Sequence, residues 1–555
     1  MVKKFKYAFL GAAVLAGVLV VTGAGKGDFP LGKNLEILVN VFRDINFFYV
    51  DETDPDKLMK DAAVGMTSKL DPYTEYLAAK EMEAFTVMAT GKYGGIGAVI
   101  RQKGDYVAIA EPYEGSPADK AGLQAGDKIL AIDGEDAKGF STEMVSTKLK
   151  GDPGTSVKLK VLKFYSGKEE QLSIRRERIS MQPVPYYGFI SDSIGYIRHT
   201  DFSEDCSSDF RYALMEMKKT GKLKGLVLDY RDNGGGIMDE AVKILSMFVP
   251  RGTEVVSMKG RTPEMSKEYI TSDSPIDTEL PLAVLVSSGS ASAAEIVAGA
   301  IQDLDRGVLV GQRTFGKGLV QSTKPVGYNS YLKITTAKYY IPSGRCIQAV
   351  DYAHRAEDGS VRSVPDSLVK EFATAGGRKV YDGGGVMPDV KVPAEYLSTF
   401  TVLAYAKGYV EDFVDVYLRQ NPEKVDSETF VVSDEAYAQF AEFMQDKDMD
   451  YKSETLLALN SLKEKAEREL YYDKIKDAVA LIEKELKEDK VGDLQLYKSQ
   501  LSDVIADDIV LRQHYKKGVI RRDIAKDKEV KEAIRVLSDK GRYERIVTSQ
   551  DTERK

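Results

Sequence analysis

A serine and a lysine 25 residues apart are the side chains of this sequence whose types and spacing indicate chemistry. Ser292 lies in PLAVLVSSGSASAAEIVAGAIQDLDR and Lys317 lies in TFGKGLVQ, with Gln321 four positions further on. A serine hydroxyl becomes a strong nucleophile when a neighbouring base removes its proton. A lysine can act as that base only when it is neutral, and burial away from water favours the neutral form. The pair therefore indicates acyl transfer by a serine nucleophile with a lysine general base.

The segment around Ser292 predicts a strand, a turn and a helix, in that order. Leu282–Val286 is a short apolar run typical of a buried strand, and a helix is expected to begin near Ala293. The first turn of a helix has backbone N–H groups without helical partners, and such groups can stabilise a developing oxyanion. The N–H of Ala293 is therefore the first expected oxyanion donor. Ser290, two residues before Ser292, is the rival nucleophile.

Six further stretches, taken together with S-x-x-E at Ser292 and F-G-K-G-x-x-Q around Lys317, resemble the C-terminal processing peptidases, also called tail-specific proteases. They occur in the family's order between about residues 35 and 395. They are LDPYTEYL (70–77), YGGIGAVI (93–100), EGSPADKAGLQAGDKILAIDGED (114–136), LVLDYRDNGGG (226–236), YYIPSGRCIQ (339–348) and GGVMPD (384–389). Any one of these motifs alone would be a weak signal.

The resemblance implies a role for each residue of the catalytic set. Ser292 is expected to be the nucleophile, because both the interval to Lys317 and the three-residue step to Glu295 select it over Ser290. Lys317 is expected to be the general base and Gln321 to orient it. In a straight strand residues four apart are about 13 Å apart, so a turn at Gly316–Gly318 would have to shorten that path. The alternative for Gln321 is an exposed position on a strand face, and Glu295 is expected to be structural, through the helix dipole.

The same resemblance places the second oxyanion donor in the glycine run after LVLDYRD. The donor is expected to be a backbone amide within Gly234–Gly236, with Gly235 and Gly236 as the candidates, where the missing side chain lets the backbone approach a substrate closely. The family usually has N-P-G-G where this chain has Asn233-Gly234-Gly235-Gly236. Loss of the proline is expected to loosen the turn. The apolar neighbours Phe315, Leu319 and Val320 are expected to shield Lys317 from water.

A glycine-punctuated β-rich stretch, about 92–175, looks like a PDZ domain. Val99, Val107 and Ile109, then Ile129–Ile132, then Val157–Leu162 predict short strands, and Thr142–Leu149 predicts an amphipathic helix. In such domains the loop spelled here Gly94-Gly95-Ile96-Gly97-Ala98 presents backbone N–H groups to the C-terminal carboxylate of a peptide, and the peptide adds as a strand to the sheet. The resemblance thus implies substrates recognised by apolar C-terminal tails. Considered without it, a GxG stretch is a turn more often than a ligand loop.

The expected architecture is a multidomain α/β protein, since 555 residues exceed what one core holds. We expect a signal peptide or membrane anchor over 1–25 and a helical region over 26–88. A PDZ domain over 89–175 and a peptidase core over 176–395 follow, with a charged helical region over 396–555. The alternating β and α pattern of the core indicates a layered α/β structure. The resemblance makes it of the crotonase and Clp-protease type.

The N-terminus has the composition of a segment that directs export. Lys3, Lys4 and Lys6 precede the 18-residue apolar run Tyr7–Ala24, and small residues follow. This order is typical of a signal peptide, and the length is near the lower limit for a membrane-spanning helix. Removal and retention as an anchor are both left open. Either outcome predicts a protein exported to the periplasm or cell envelope.

Composition excludes several classes of protein. The net charge of −8 argues against nucleic acid as a partner, since such proteins carry a basic face. Three histidines and two cysteines show no spacing typical of a metal site, so neither a metal nor another cofactor is expected. His199 is expected to be a wall residue of the site or a satisfied surface histidine, with general base as the alternative. Cys206 and Cys346 are expected to be free small hydrophobes, a disulfide between them being the alternative.

The sequence therefore predicts an exported serine endopeptidase that binds proteins by their C-termini and cleaves them by acyl transfer. A PDZ-based scaffold with an inactive or partner-activated peptidase core is the alternative. After residue 400 the chain is charged and helical, with Ile475, Val479, Ile482 and Leu486 at helical spacing. No chemistry is visible in that region. An adaptor role or a homo-oligomer contact through it remains open.

Overall fold

The computed structural model describes residues 28–355, 360–449, 451, 453–486 and 490–548. The chain forms two compact units. The first contains the described residues up to Ala84, together with Val320–Thr336 and Tyr352–His354. The second contains Phe85–Leu319, Ala337–Asp351 and the described residues from 360 onward, with Arg355.

The helices occur in all parts of the described chain. They are α1 Asp28–Phe48, α2 Pro55–Thr67, α3 Ala79–Thr90, α4 Pro117–Lys120, α5 Thr142–Leu149, α6 Cys206–Lys219, α7 Met238–Leu245, α8 Ala293–Asp303, α9 Thr399–Ala406, α10 Tyr409–Gln420, α11 Asp434–Phe443, α12 Glu454–Arg468, α13 Tyr472–Glu485, α14 Lys490–Leu496, α15 Lys498–Lys526, α16 Lys528–Ser538 and α17 Lys540–Val547.

The strands lie between residues 75 and 391. They are β1 Glu75–Leu77, β2 Lys92–Gly95, β3 Ala98–Lys103, β4 Tyr106–Pro112, β5 Lys128–Ile132, β6 Glu135–Asp136, β7 Ser156–Leu162, β8 Glu169–Arg175, β9 Glu177–Ser180, β10 Tyr186–Phe189, β11 Ile194–Arg198, β12 Gly225–Asp229, β13 Glu254–Gly260, β14 Lys267–Ile270, β15 Leu282–Val286, β16 Val308–Gly311, β17 Leu319–Gly327, β18 Ser330–Tyr340, β19 Val350–Asp351, β20 Arg362–Ser363, β21 Glu371–Ala373, β22 Lys379–Tyr381 and β23 Val390–Lys391.

The first unit joins the N-terminal helices to a short strand. Strand β1 pairs antiparallel with the first half of β18, with Glu75 opposite Lys333 and Leu77 opposite Tyr331. The sequence predicted only helix for this part of the chain. The strand is stabilised by pairing with a partner more than 250 residues further along the chain. Local sequence patterns do not reveal such a partner, so the strand was not predicted. The helical apolar residues of α1 are largely exposed, Leu35 by 43%.

The PDZ-like part of the second unit has the predicted elements. Its sheet has the order β3-β4-β5-β7-β8, which leaves β3 at an edge. Apolar side chains from alternate strand positions meet those of α5 in one core, and Val145 and Leu149 are the buried helix residues. The helix has the predicted bounds, Thr142–Leu149, because Ser141 caps it and accepts the N–H of Met144 at 3.2 Å.

The peptidase core is built on the sheet β10-β11-β12-β15-β16-β23. Strand β10 is antiparallel to β11, and β11, β12, β15, β16 and β23 are parallel neighbours. Every residue of β12 and β15 is buried, as expected for parallel strands covered on both faces. This confirms the layered α/β core. A second set of pairings joins β13 to β14 and to the last residues of β18.

The helical region from α9 to α17 contacts both the PDZ-like sheet and the peptidase core. Phe164, which follows β7, is 2% exposed and packs in the same cluster as the buried residues of α10 and α15. Arg101 and Lys103 of β3 form ion pairs with Glu411 and Asp415 of α10. The predicted apolar stripe of α13 is only partly buried, because Ile482 is 42% exposed.

The N-terminal segment predicted to direct export lies outside the described residues. None of the helices within the described ranges has both the length and the apolar composition needed to cross a bilayer. Cys206 and Cys346 are both free, so the expectation of two unpaired thiols is confirmed.

Candidate active site

Three loops that follow neighbouring parallel strands carry most of the predicted site residues. The glycine run follows β12, the turn with Ser292 follows β15, and the segment with Lys317 follows β16. Since the strands are parallel, their carboxyl ends lie at the same edge of the sheet, where ligands of open α/β sheets bind. The topology therefore brings together segments separated by tens of residues in sequence.

Ser292 occupies a strained backbone conformation immediately before α8. Its φ of 56° and ψ of −117° lie where residues with a side chain are rarely found. Strain of this kind costs about 1–3 kcal/mol and recurs at functional sites. The side chain is half-buried. Ser290 is fully buried, donates its hydroxyl proton to the carbonyl of Tyr230 at 2.9 Å and accepts the N–H of Ser287 at 2.9 Å.

Glu295, in the first turn of α8, joins the serine turn to the lysine loop. Its Oε2 accepts the N–H of Ser292 and the N–H of Lys317, each at 2.9 Å. Its Oε1 accepts the N–H of Gly316 at 2.7 Å and the hydroxyl of Thr314 at 2.5 Å. One oxygen thus holds the backbone nitrogens of both predicted catalytic residues. The sequence predicted only a dipole effect for this glutamate, and its hydrogen bonds assign it a more specific structural role.

Burial raises the pKa of Glu295 to about 7, although its hydrogen bonds oppose that shift. A group whose folded pKa exceeds its unfolded pKa stabilises the fold most below the unfolded value. This contribution is fully present below about pH 4.5, the ordinary value for glutamate, and is lost as the pH rises through 7. The hydrogen bonds to four donors keep the carboxylate in place when it is charged.

Replacing Glu295 by glutamine is expected to lower kcat/KM by about 100-fold, because a shift of about 1 Å in a catalytic group costs that much. The amide nitrogen of glutamine cannot accept the N–H groups that one carboxylate oxygen now accepts. We also expect a loss of about 1–3 kcal/mol in the free energy of unfolding. Steady-state kinetics and urea unfolding measure the two effects. Exposed Glu279→Gln is the control, and equal kinetics for both variants would contradict the bridging role.

Tyr339 contacts the backbone carbonyl groups of the same two residues, Ser292 and Lys317. Its hydroxyl lies 2.6 Å from the carbonyl oxygen of Lys317 and 3.2 Å from that of Ser292. The side chain is 1% exposed, and burial raises its pKa well above the ordinary value, so the hydroxyl stays protonated and donates. Sequence reasoning missed this residue. Its position in YYIPSGRCIQ, one of the resembling stretches, was the only signal.

The lysine loop is held at nearly every backbone group. Phe315 donates its N–H to the carbonyl of Ser290 at 3.0 Å, and Gly318 donates its N–H to Oε1 of Gln348 at 2.8 Å. Lys317 itself is half-buried. The expected apolar shielding is only partly present. Leu319 is 7% exposed, but the side chain of Phe315 is 52% exposed because the loop turns it outward.

The glycine turn packs directly against the nucleophile. A side-chain carbon at Gly235 would lie 2.7 Å from Cβ of Ser292 and 2.8 Å from the nitrogen of Ala293, so only glycine fits there. The N–H of Gly235 donates to Oδ1 of Asn233 at 2.8 Å. Within the part of the chain that the structure describes, the N–H groups of Gly236 and Ala293 have no protein acceptor.

Hydrogen bonds of Asn233 stabilise this turn. The residue after Asn233 is Gly234, where the related motif has proline. Its side chain accepts the N–H of Gly235 and donates to the carbonyl of His199 at 2.8 Å. Its own carbonyl accepts the N–H of Ala291 at 2.9 Å, which ties the glycine turn to the serine turn. These bonds fix the turn with glycine at position 234.

Gln321 lies on β17 in the first unit. Its amide nitrogen donates to the hydroxyl of Thr335 at 3.1 Å, and Thr335 donates in turn to Asp71 at 3.2 Å. Asp71 also accepts the N–H groups of Tyr73 and Thr74, each at 2.9 Å. The motif LDPYTEYL thus holds the amide nitrogen of Gln321 in place through Asp71 and Thr335.

His199 is neither a surface residue nor within reach of a proton acceptor. It is completely buried among Phe202, Phe210 and Tyr230, with ring centroids 4.6–5.7 Å away. Both ring nitrogens lack a hydrogen-bond partner among the described residues. The expectation of a satisfied surface histidine was therefore wrong, because aromatic side chains from three segments enclose the ring. The other expectation, a wall residue of the site, stays a prediction.

Burial lowers the pKa of His199 to about 3, so the folded protein keeps the ring neutral. The unfolded chain binds a proton near pH 6.5, and stability is therefore lost as the pH falls below that value. Between pH 7.5 and 5 the loss from this residue is expected to be about 2 kcal/mol. Urea unfolding of the protein, His199→Leu and the exposed-site control His354→Leu tests this. The same pH dependence in His199→Leu as in the parent would contradict it.

In the loop of the PDZ-like part, the backbone carbonyl groups accept hydrogen bonds from within the domain. The carbonyl of Ile96 accepts the N–H of Ala118 at 2.8 Å, and that of Gly97 accepts the hydroxyl of Ser116 at 2.8 Å. Gly97 has a φ of 75°, and a side-chain carbon there would lie 2.6 Å from Cβ of Ser116. The N–H groups of Ile96 and Gly97 have no acceptor within the described chain. Gly95 pairs with Glu177, and Ala98 begins the edge strand β3.

A buried ionic cluster anchors the other end of α8. Arg345, 1% exposed, donates to Asp303 and Gln302 at 2.8 Å each. The carboxylate of Asp389 accepts hydrogen bonds from Nη1 of Arg378 and from the N–H of Leu309, each at 2.8 Å. The resembling stretches YYIPSGRCIQ and GGVMPD thus contribute to fixing the helix that begins at the nucleophile.

Comparison with known proteins gives matches along most of the chain. Residues 193–354 match peptidase family S41, residues 109–163 match the PDZ domain, and residues 400–537 match a family described as "Probable PDZ-protease, C-terminal helical domain". The carboxy-terminal-processing protease of Bartonella bacilliformis is 34% identical over 355 residues, which cover 63% of this chain and 81% of that protein. A probable CtpA-like serine protease of Staphylococcus aureus is 35% identical over 331 residues, 59% of this chain and 64% of that protein.

Among solved structures, a photosystem II D1 C-terminal processing protease is 28% identical and covers 64% of this chain and 87% of its own, with a TM-score of 0.35. The extent of the sequence matches defines the class: a serine peptidase with a PDZ domain and a C-terminal helical domain. The chain belongs to the carboxy-terminal-processing proteases of peptidase family S41.

Proposed function

We propose that this carboxy-terminal-processing protease is exported and cleaves captured proteins with Ser292 as nucleophile and Lys317 as general base. The observation that carries the proposal is the double bridge between the two residues. Glu295 accepts both of their N–H groups, and Tyr339 lies within hydrogen-bond distance of both of their carbonyl oxygens. A fold that fixes a serine and a lysine to the same two side chains favours their acting together.

In the proposed reaction Oγ of Ser292 attacks the scissile carbonyl carbon while Nζ of Lys317 takes the hydroxyl proton. The tetrahedral intermediate carries a negative oxygen, and its collapse breaks the C–N bond. Lys317 returns the proton to the leaving amine, which departs and leaves an acyl ester on Ser292. Water then attacks the ester carbonyl while Lys317 takes its proton, the bond between the acyl carbon and Oγ breaks, and Lys317 returns the proton to Oγ. This step releases the new carboxyl terminus and restores the serine.

The N–H groups of Ala293 and Gly236 are the proposed oxyanion donors. Ala293 is the first residue of α8, where the helix leaves its N–H free. Gly236 is favoured over Gly235 because the N–H of Gly235 already donates to Asn233. Gln321 is proposed, on the resemblance, as the residue that orients Lys317, and a neutral amide lacks the negative charge that would hold the lysine protonated.

Substrate tails are proposed to bind along β3 with their terminal carboxylate at the loop Gly95–Ala98. The free N–H groups of Ile96 and Gly97 suit a carboxylate, and the edge position of β3 suits strand addition. The loop and α5, beside which the tail is proposed to lie, both contribute apolar side chains to the same core, and an apolar last residue is therefore proposed.

Replacing the apolar last residue of a model substrate by aspartate is expected to raise KM by about 10-fold to 100-fold. One buried apolar side chain is worth about 1.5–3 kcal/mol, and a charge would lose that and add desolvation. The substrate is an unfolded protein with either tail, and binding is measured separately with Ser292→Ala. The same aspartate placed ten residues upstream is the control. Equal KM values for the two tails would contradict recognition through the tail.

A scaffold function is the second candidate, in which the PDZ domain binds tails and the core is inactive. It predicts tail binding without cleavage by the intact protein. The strained conformation of Ser292 argues against it, because binding alone gives no reason to retain a strained nucleophile.

A further inference from the structure

The C-terminal helical region forms part of the peptidase core through α16. Val530, Ala533 and Val536 of this helix are fully buried and pack in one cluster with apolar residues of β12, β15 and β16. These are the strands that lead into the three site loops. A helix from the last part of the chain therefore lies directly behind the site.

The start of α16 presents two carboxylates to Arg231, a residue of the segment between β12 and the glycine turn. Asp527 caps the helix with one oxygen and accepts Nη1 of Arg231 with the other at 2.6 Å. Glu529 accepts the same Nη1. The side chains of Arg231 and Glu529 are only 16% and 12% exposed, so these ion pairs are largely shielded from solvent.

Arg231 is held on its other side by Asp229, the last residue of β12. Nε and Nη2 of Arg231 donate to the two oxygens of Asp229 at 3.0 and 2.7 Å. Asp229 is fully buried and also pairs with Arg198 at 2.7 Å. The guanidinium is thus fixed between the sheet and α16, and its own backbone leads within five residues to Gly236.

Glu529 makes a second contact, at the start of the lysine loop. Its Oε1 accepts Nε2 of Gln312. Gln312 directly follows β16 and precedes the segment Thr314–Gly318 that carries Lys317. The same amide also donates to the carbonyl of Val392 at 3.0 Å. One carboxylate therefore contacts side chains at the beginnings of both the oxyanion loop and the lysine loop.

We propose that Glu529, with Asp527, is a positioning residue for catalysis: it acts through Arg231 and Gln312 to fix the loops that carry Gly236 and Lys317. This inference rests on the proposed function and assigns the C-terminal helical region a part in the peptidase site. Removing the Glu529 carboxylate leaves Gln312 without that acceptor and Arg231 with one carboxylate fewer. Both loops are then expected to gain freedom, while the proposed tail-binding loop Gly95–Ala98 belongs to the PDZ-like part.

The test compares Glu529→Ala and Glu529→Gln with Glu532→Ala, a control in the same helix that pairs with Arg542 instead. The full chain is assayed with an apolar-tailed substrate, and tail affinity is measured in the Ser292→Ala background. We expect Glu529→Ala to lower kcat by about 10-fold to 100-fold, with tail affinity within twofold of the parent and Glu532→Ala close to the parent. If Glu529→Ala fails to fold, kcat and tail affinity are measured instead in Glu529→Gln, which keeps the side-chain volume and removes the charge.

A double-mutant cycle with Arg231→Ala separates positioning from general stability. Two residues that act through one contact have non-additive effects, so the loss in kcat from Glu529→Ala is expected to shrink when Arg231 is already alanine. Additive losses, or an equal loss of kcat in Glu532→Ala, would overturn the proposal. Cleavage that persists in Ser292→Ala would instead refute the proposed function, so the two failures are distinguishable.

Discussion

Ser292→Ala is expected to lower kcat/KM by about 10⁴-fold or more, because removal of a serine nucleophile leaves only binding and oxyanion stabilisation. Ser292 has a strained backbone conformation, directly precedes the free N–H of Ala293, and packs against the glycine turn. Tail binding should be unchanged, because the proposed tail-binding loop Gly95–Ala98 does not include Ser292. The measurement is cleavage of an unfolded, apolar-tailed substrate at enzyme concentrations high enough to detect a 10⁵-fold loss.

The control for that variant is Ser288→Ala, which alters an exposed serine of the same turn and should keep full activity. Ser290→Ala is informative in a different way. Its hydroxyl bonds to Tyr230 and Ser287 within the core, so we expect lower stability with cleavage retained by the folded fraction. Full activity of Ser292→Ala together with loss of activity in folded Ser290→Ala would assign the nucleophile to the rival serine.

Lys317→Ala is expected to lower kcat by about 10⁴-fold, close to the effect of Ser292→Ala, because a nucleophile and its base act as a unit. Lys317→Arg should be equally inactive, since a guanidinium keeps its charge and cannot accept the proton. The backbone bonds of residue 317 to Glu295 and Tyr339 do not involve its side chain, so both variants should fold. Thermal unfolding checks the fold and steady-state kinetics measure the loss.

Lys324→Ala, at an exposed position of β17, is the matched control for loss of a lysine charge and is expected to retain activity. The double variant Ser292→Ala with Lys317→Ala should be no less active than either single variant. Retention of more than about a tenth of the activity in Lys317→Arg would contradict the role of a neutral lysine base.

Local sequence signals predicted the elements that carry the nucleophile. The strand Leu282–Val286 and the helix starting at Ala293 were both correct, since an apolar run and a capped helix start are determined by neighbouring residues. The helix Thr142–Leu149 was correct for the same reason. The class of the protein was also predicted, because six ordered stretches each retain a local pattern.

The contacts between elements could not be predicted from the sequence. Tyr339 lies 47 residues after Ser292 and reaches it only because β18 returns alongside the site. Glu529 lies 298 residues after Arg231, in a region where periodicity showed helix and nothing else. The positions that hold the site are tertiary contacts, and no spacing along the chain reveals them.

The most direct test of the central claim is to locate the adduct formed by a fluorophosphonate in the full chain. The active protein is labelled until cleavage of the tailed substrate stops, digested and sequenced by mass spectrometry. We expect one modified residue, Ser292, and no labelling in Ser292→Ala or in unfolded protein. An inhibited enzyme with Ser292 unmodified and the label on another residue would contradict the proposed site.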